Sequence, residues 1–317
     1  MGDMSTAPED VDCLVVGGGP AGLLAAVYLG RFRRRVLVAD AGDGRALRIP
    51  CLNNCPGFPE GISGRALVDR LRRQAARYGA DFIDGRVSAI IRDGSGFAAT
   101  CGTVRLRARR LLLATGVRDT LPDLPEIDEN IARRTLCVCP VCDGYEATGK
   151  RIGVMGRDDH ALREAIFLRT YSQRVSLLPW PPGECTAKLR ADAAKADITL
   201  CEDIVRILSD DEGYVALLRD GSRAAFDVIY PALGYVVRGD LGGGDIDMRR
   251  DDLGHVRVDA HQQTSVPGIY AAGDVVHSLN QIAVALGQAV TAATAIHNDL
   301  RATPQAGKSG DEGIIGG

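Results

Sequence analysis

The chain has 317 residues, 45% of them apolar, with 38 Lys+Arg against 41 Asp+Glu and a net charge of −3. That length fits two domains with a sizeable core, and the near-neutral balance excludes a strongly basic nucleic-acid binder and a polyacidic tail protein. The first ten residues are polar and acidic with no apolar run behind a basic start, so no secretory signal is expected and a cytoplasmic, reducing compartment is.

In chain order, the run 11–16 predicts a buried strand, Gly17-Gly-Gly-Pro-Ala-Gly22 a tight turn, 23–29 a helix, and 36–40 a second strand. This is a βαβ opening with G-x-G-x-x-G at Gly17, Gly19 and Gly22. The first glycine permits the turn, the second lets backbone approach a diphosphate, and the third permits close helix–strand packing. Asp40, at the end of the second strand, is placed to accept from a ribose hydroxyl. The competing reading is a glycine turn without a ligand. The uncharged stretches 13–30 and 275–298 are broken by Gly, Pro or polar residues, so no membrane span is expected.

The pattern recurs from residue 151. A strand over 151–155 leads into Gly156-Arg-Asp-Asp-His-Ala161, a helix through Leu168 and a strand over 175–178. Two copies of one unit predict an α/β protein with two Rossmann-like, three-layer ββα nucleotide-binding domains. The second copy departs from the pattern. Asp158 stands where the first has Gly19, and Ala161 where it has Gly22. Pro179-Trp180-Pro181 carries neither an acid nor a basic pair to read a ribose or its 2′-phosphate. An Asp there puts like charge against a diphosphate, so NADPH binding is doubtful and a domain that keeps its fold without the nucleotide is the plainer reading.

Short strands lie between the copies, including one over 110–116, with linkers at 121–125 and 239–244. A strand and turn over 268–274 precede a long helix over about 281–300. The second domain therefore reads as inserted into the first. The expected bounds are 8–120 plus 240–302 for the first domain, 124–236 for the second, and a disordered tail over 303–317.

Cys139-Pro-Val-Cys142-Asp143-Gly144 is the chemical centre of the sequence. In a C-x-x-C unit one thiolate attacks a disulfide and its neighbour resolves the mixed disulfide. Asp143 is placed to move a proton to a departing thiolate. Half a zinc site looks the same, and Cys51, Cys55, Cys139 and Cys142 form the rival metal set; no metal is expected. Cys137 makes the local string C-x-C-x-x-C. His277 and His297 read as structural or surface histidines, with His277 near a flavin ring as the sharper alternative.

The chain resembles the low-molecular-weight thioredoxin reductases over about residues 11–300. The resemblance rests on Gly17-Gly-Gly-Pro-Ala-Gly22, Asn54-Cys-Pro-Gly-Phe-Pro-Glu-Gly-Ile-Ser-Gly64, Ala114-Thr-Gly116, Cys139-Pro-Val-Cys-Asp-Gly144, Ala232-Leu-Gly-Tyr235 and Ala271-Ala-Gly-Asp-Val275. It implies FAD in the first domain. Gly17, Gly19, Pro20, Ala21 and Gly22 would hold its diphosphate and Asp40 its adenosine ribose. Asn54 would lie near the flavin, Ala114, Thr115 and Gly116 would make a second contact, and Gly273 and Asp274 would meet the ribityl chain. Gln281, Ile282 and Ala283 would aim a helix N-terminus at the flavin. Cys142 would face the flavin and Cys139 the substrate disulfide. Rotation between domains and a homodimer belong to the same resemblance.

Its departures are the second glycine turn and the Cys139-Pro-Val-Cys142 and Gly144-Tyr-Glu146 strings. The last two strings resemble thioredoxin-reductase-like dithiol oxidases and nicotinamide-independent reductases. The implied partner is a thioredoxin-like protein or a small dithiol or disulfide, with ferredoxin or another non-nicotinamide donor as electron source. A dithiol oxidase using O2, and a non-catalytic flavin-bound sensor, are the alternatives.

Overall fold

The computed structural model describes residues 10–210, 212–239, 241, 246–277 and 279–303. Most of the expected 239–244 linker, and the expected tail beyond Thr303, lie outside the described residues. The chain divides into two compact units: Met1–Gly42, Leu71–Thr115 and Gly239–Gly317 form the first, and Asp43–Arg70 and Gly116–Arg238 the second. The segment Asp43–Arg70 groups with the second unit, whereas the sequence reading put it in the first.

The chain opens with β1 (Val11–Val16), α1 (Pro20–Arg31), β2 (Val36–Asp40), α2 (Gly64–Arg77), β3 (Ala80–Asp84), β4 (Val87–Asp93), β5 (Gly96–Cys101) and β6 (Val104–Leu113). Then come β7 (Val117–Asp119), α3 (Ile127–Arg133), α4 (Pro140–Asp143), β8 (Ile152–Met155), α5 (Asp159–Leu168), β9 (Val175–Leu178), α6 (Ala187–Lys195) and β10 (Thr199–Leu200). β11 (Ile204–Asp210), β12 (Gly213–Leu218), β13 (Arg223–Phe226), β14 (Val228–Pro231) and β15 (Tyr235–Val237) follow, and β16 (Ile269–Ala271) and α7 (Ile282–Ala302) close the chain.

The first unit is built on a sheet ordered β3-β2-β1-β6-β5-β4, with β16 pairing the C-terminal end of β6 beyond its pairing with β5. β3, β2, β1, β6 and β16 run parallel, and β5 and β4 return antiparallel. β1 is buried at five of its six positions, as a parallel strand covered on both faces must be. The register sets Val16 beside Ala39 on one side and Leu113 on the other. Hence β1, β2 and β6 end together, and the turn leaving β1 sits at a shared carboxyl edge, where open α/β sheets bind ligands.

α1 and α7 pack on each other, because α1 buries Ala21, Gly22, Leu23, Ala25, Ala26, Val27 and Leu29 and α7 presents Ala285, Ala289, Ala292 and Ala293. Small residues let the two backbones approach closely. Arg110 anchors α7 to the sheet: its guanidinium reaches Asp299 at 2.6 and 2.8 Å, and the Tyr270 hydroxyl donates to the same carboxylate at 3.0 Å. His297 is part of this packing. Its Nδ1 accepts from Arg34 at 3.1 Å, and burial with that nearby cation lowers its proton affinity.

In the second unit, β10, β9, β8 and β14 form a parallel sheet, β11, β12 and β13 an antiparallel meander, and β15 pairs with β7. β8 is buried throughout, and α5 covers the sheet with Ala161, Leu162, Ala165 and Leu168. The segment before the cysteine motif is tied to this sheet. Ile229 N–H donates to the Thr135 carbonyl at 2.8 Å, and Cys137 N–H to that of Ile229 at 2.9 Å. No helix among the described residues is long and apolar enough to cross a membrane.

Candidate active site

In the first unit, Gly17 has φ +112°, and a Cβ there would stand 2.3 Å from the Ala114 carbonyl oxygen. Only glycine fits, because both the dihedral and the contact forbid a side chain. Gly22 is constrained by contact alone: its Cβ would lie 2.0 Å from the Gly17 oxygen. Gly19 differs. A Cβ there would meet nothing within 4 Å, so the turn is open above it. Gly19 is also the N-cap of α1, with Pro20 at the first helical position. The first-turn N–H groups thus face that space with no side chain over them, which is how helices bind phosphate.

Asp40 sits beside this turn, and one of its oxygens accepts the Gly18 N–H at 3.0 Å. A carboxylate keeps acceptor capacity beyond one such bond, so a ribose hydroxyl is compatible. Thr115 Oγ1 and Asn280 Oδ1 are both buried without a hydrogen-bond partner. Buried polar atoms are ordinarily paired, and a bound group would supply what these two lack. Gly273 (φ +81°) approaches α1, its built Cβ lying 3.0 Å from Ala21 Cβ, and its N–H donates to Gln288 at 2.8 Å. Gln281 is the N-cap of α7, which begins at Ile282 and Ala283. The open turn and the two orphaned atoms fit a dinucleotide.

The first unit therefore holds Gly17, Gly19, Pro20, Ala21, Gly22, Asp40, Ala114, Thr115, Gly273, Asp274, Gln281, Ile282 and Ala283 of the expected residues. Asn54 and Gly116 fall in the second unit, with Cys139, Cys142 and Asp143.

Cys139 and Cys142 form a disulfide with their Cα atoms 5.3 Å apart. Pro140 at the first position starts the short helix α4, and Cys139 caps it: its sulfur accepts the Cys142 N–H at 3.1 Å. After reduction this donor favours a thiolate on Cys139. Both cysteines are half-buried, while Val141 and Tyr145 beside them are exposed. Burial, and next the Glu146 charge, push the Asp143 carboxyl up to about 6, in the range that suits proton transfer near neutrality.

Cys137, unassigned by the sequence, is buried 8% exposed. Burial and then the Asp143 charge push its thiol up to about 12, so it is a neutral neighbour of Asp143 and no nucleophile. Tyr230, one of the largest fully buried side chains, completes the surroundings of that thiol. The register of 135–137 on Ile229 puts it there, a long-range pairing no local motif signals. Of the rival zinc set, Cys139 and Cys142 are bonded to each other, and Cys51 Sγ lies 3.1 Å from Asn53 Oδ1.

The second glycine turn has the same frame. Gly156 has φ +154° and donates to the Leu178 carbonyl at 2.9 Å. Asp158 is the N-cap of α5, and its carboxylate accepts the Ala161 N–H at 2.9 Å. Burial, and next the Asp158 charge, push Glu164 on that helix up to about 7. Trp180 packs partly buried against the core cluster containing Met155, Leu178 and Ile229.

A parallel sheet with an open glycine turn, and a vicinal disulfide beside a proton-holding acid, define a nucleotide-binding disulfide oxidoreductase. Residues 11–289 match the pyridine nucleotide-disulphide oxidoreductase family. The chain is 32% identical over 302 residues to a thioredoxin reductase of Mycolicibacterium smegmatis, covering 91% of this chain and 96% of that protein. It is 31% identical to one from Streptomyces coelicolor, covering 88% and 91%. Among solved structures, that of HlmI aligns with a TM-score of 0.84 at 31% identity, covering 94% of this chain and 95% of that one. Thioredoxin reductase from Streptococcus pyogenes aligns with a TM-score of 0.84 at 25% identity, covering 92% and 99%. The chain belongs to the pyridine nucleotide-disulphide oxidoreductase family and is a thioredoxin reductase-like disulfide oxidoreductase, a family that implies a flavin.

Proposed function

We propose that this enzyme holds FAD in its first unit and exchanges electrons between that flavin, the Cys139/Cys142 pair and the disulfide of a thioredoxin-like protein, without a nicotinamide nucleotide at its second glycine turn. The observation that carries the reading is the half-buried Cys139–Cys142 disulfide beside Asp143, whose carboxyl is raised to about 6. The homodimer and the cytoplasmic setting belong to the same reading.

Gly17, Gly19, Pro20, Ala21 and Gly22 would hold the FAD diphosphate and Asp40 its adenosine ribose. Ala114, Thr115, Gly116, Gly273, Asp274, Gln281, Ile282 and Ala283 would supply the remaining contacts, with Asn54 near the flavin. When bound, the flavin supplies the electron pair that reduces the Cys139–Cys142 disulfide. The Cys139 thiolate then attacks one sulfur of the substrate disulfide, breaking that bond and forming a mixed disulfide. Cys142 attacks Cys139, re-forms the internal disulfide and releases the substrate dithiol. Each departing sulfur needs a proton, and Asp143 gives one from its protonated form. Because its carboxyl is raised, Asp143 keeps that proton up to about pH 6, so the thiol-release rate falls as pH rises through that value. Asp143→Asn removes this limb and slows release by about 100-fold.

Asp158 argues against a nicotinamide nucleotide at this turn. Its carboxylate takes the Ala161 N–H, a donor in the first turn of α5, where a diphosphate would bind. The deciding experiment follows flavin absorbance anaerobically while NADPH, a dithiol or reduced ferredoxin is added, with thioredoxin disulfide as acceptor. The expected result is no bleaching by micromolar NADPH, bleaching by the non-nicotinamide donor, and reduction of thioredoxin that Cys142→Ser abolishes. Bleaching by NADPH overturns the donor assignment. Turnover of small dithiols with peroxide formed in air overturns the direction. An unaffected Cys142→Ser variant overturns the chemistry.

A further inference from the structure

Asp251, His255 and His277 share no sequence motif, yet one loop and one turn of the first unit bring them together. Arg250 bridges Val256 across a tight loop, and Val256 pairs with Val276, so the turn at 275–277 lies beside the loop. The ligand-type atoms of the three residues all lie within 4.8 Å of one another. Among the described residues no other set of three or more His, Cys, Asp or Glu meets that condition.

The carboxylate is held from one side. Asp251 Oδ1 accepts the backbone N–H of Leu253 at 3.0 Å and of His255 at 2.9 Å. Its Oδ2 faces both imidazoles, 2.9 Å from His255 Nδ1 and 2.6 Å from His277 Nδ1. The two rings stand 5.1 Å apart at 75°. His255 is fully buried and His277 exposed. One oxygen thus receives two imidazole nitrogens, each of which offers either a proton or a lone pair. A single cation replaces both protons and takes three lone pairs at once. Ligand atoms of a tetrahedral site with bonds of about 2.0–2.1 Å lie about 3.3 Å apart; the two O–N separations are shorter than this, so Oδ2 and the exposed His277 ring would move outward as the cation enters. The backbone N–H groups on Oδ1 provide the outer support that orients a ligating carboxylate. The nearest cationic side chain of the loop, Arg250, is turned onto the carbonyls of Gly239 and Gly254.

We propose that Asp251 Oδ2, His255 Nδ1 and His277 Nδ1 form a site for one divalent first-row transition cation of the zinc type, with water in the fourth position on the exposed side of His277. Two imidazoles and one carboxylate suit such a cation and not calcium or magnesium, which prefer all-oxygen sets. The bound cation staples the 250–256 loop to the 275–277 turn.

The test titrates Co2+ into the flavin-loaded, full-length protein with the Cys139–Cys142 disulfide intact and no reductant present. Ligand-field absorption beyond the flavin bands reports binding, and Zn2+ is added in competition. The expected result is one saturable equivalent, displaced by Zn2+ and weakened at least ~100-fold in His277→Ala and in Asp251→Asn. Zn2+ also raises the thermal midpoint of the parent and not of His277→Ala. His277 is exposed, so that variant folds, and its unfolding curve in a chelator controls for this. Absence of a saturable equivalent overturns the proposal. So does binding that survives both substitutions, or binding that thiol alkylation abolishes while His277→Ala does not.

Discussion

The turns at 17–22 and 156–161 are built on one frame and end in opposite electrostatic states. In each, the leading glycine has positive φ and donates to the carbonyl closing the neighbouring strand: Ala39 at 2.8 Å for Gly17, Leu178 at 2.9 Å for Gly156. In each, the chain beyond the other neighbouring strand donates back: Ala114 to Val16 and Ala232 to Met155, both at 2.8 Å. The difference lies at the N-cap. Gly19 leaves the N-terminus of α1 open, whereas Asp158 fills that of α5 with its own carboxylate. The backbone frame makes a glycine turn, and one side chain decides whether an outside anion or an inside one satisfies the helix.

The sharpest way to break this comparison is to copy the second turn into the first. Gly19→Asp meets no steric obstacle and gives α1 a self-capping residue of the kind α5 has. The fold should therefore persist, with a thermal midpoint equal to or above that of the flavin-free parent. A carboxylate within about 4 Å of a diphosphate costs about 4 kcal/mol at intermediate dielectric, roughly a thousandfold in affinity. The variant should purify without flavin colour and recover little on adding FAD. Full flavin content in a folded Gly19→Asp protein would show that the diphosphate lies elsewhere.

Much of this contrast was legible in the sequence because it is local. Gly17, Gly19, Gly22 and Asp40 announce a turn through spacing alone, and Asp158 and Ala161 stand at the corresponding positions of the repeat. The helix expected over 281–300 is α7 (Ile282–Ala302), with Gln281 as its cap. The sequence marked Asp158 as an obstacle to a ligand; the structure adds that it has its own structural work as a cap. What could not be read depends on contacts between distant residues. Cys137 neighbours Asp143 and Tyr230 only because residues 135–137 pair with Ile229. His255 and His277 face one carboxylate only because Val256 pairs with Val276. The grouping of Asp43–Arg70 with the second unit also follows from packing, which composition does not record.

A second test asks how strongly the closed turn holds its negative charge. Glu164 is raised from 4.5 to about 7, first by burial and then by Asp158. A carboxyl raised on folding binds more protons in the native state than in the unfolded one. Its contribution therefore weakens stability as pH rises from about 4.5 through 7. Glu164→Gln removes that loss. The variant should be more stable than the parent at pH 8, by on the order of 2–3 kcal/mol, and nearly equal at pH 4. Denaturant unfolding at the two pH values measures both. A variant no more stable at pH 8 would show that Glu164 is not strained in the folded protein.

The smallest effect is expected from Asp158→Ala, which separates the cap from the charge. Losing the bond to Ala161 N–H should cost about 1 kcal/mol, the usual worth of an N-cap. The same change removes one of the two causes that raise Glu164, so that carboxyl should titrate lower while burial keeps it above its ordinary value. The net loss should accordingly be larger at pH 4, where Glu164 is protonated in both proteins, than at pH 8, where relief of repulsion offsets part of the lost cap. Nicotinamide binding should not appear with this change alone. Ala161 still replaces the third glycine, and Pro179-Trp180-Pro181 still offers no charged reader for a ribose or its phosphate. A pH-independent loss would mean that the two carboxylates do not sense each other. The second turn would then be closed by its cap alone, and its contrast with the first would be one of hydrogen bonding, not charge.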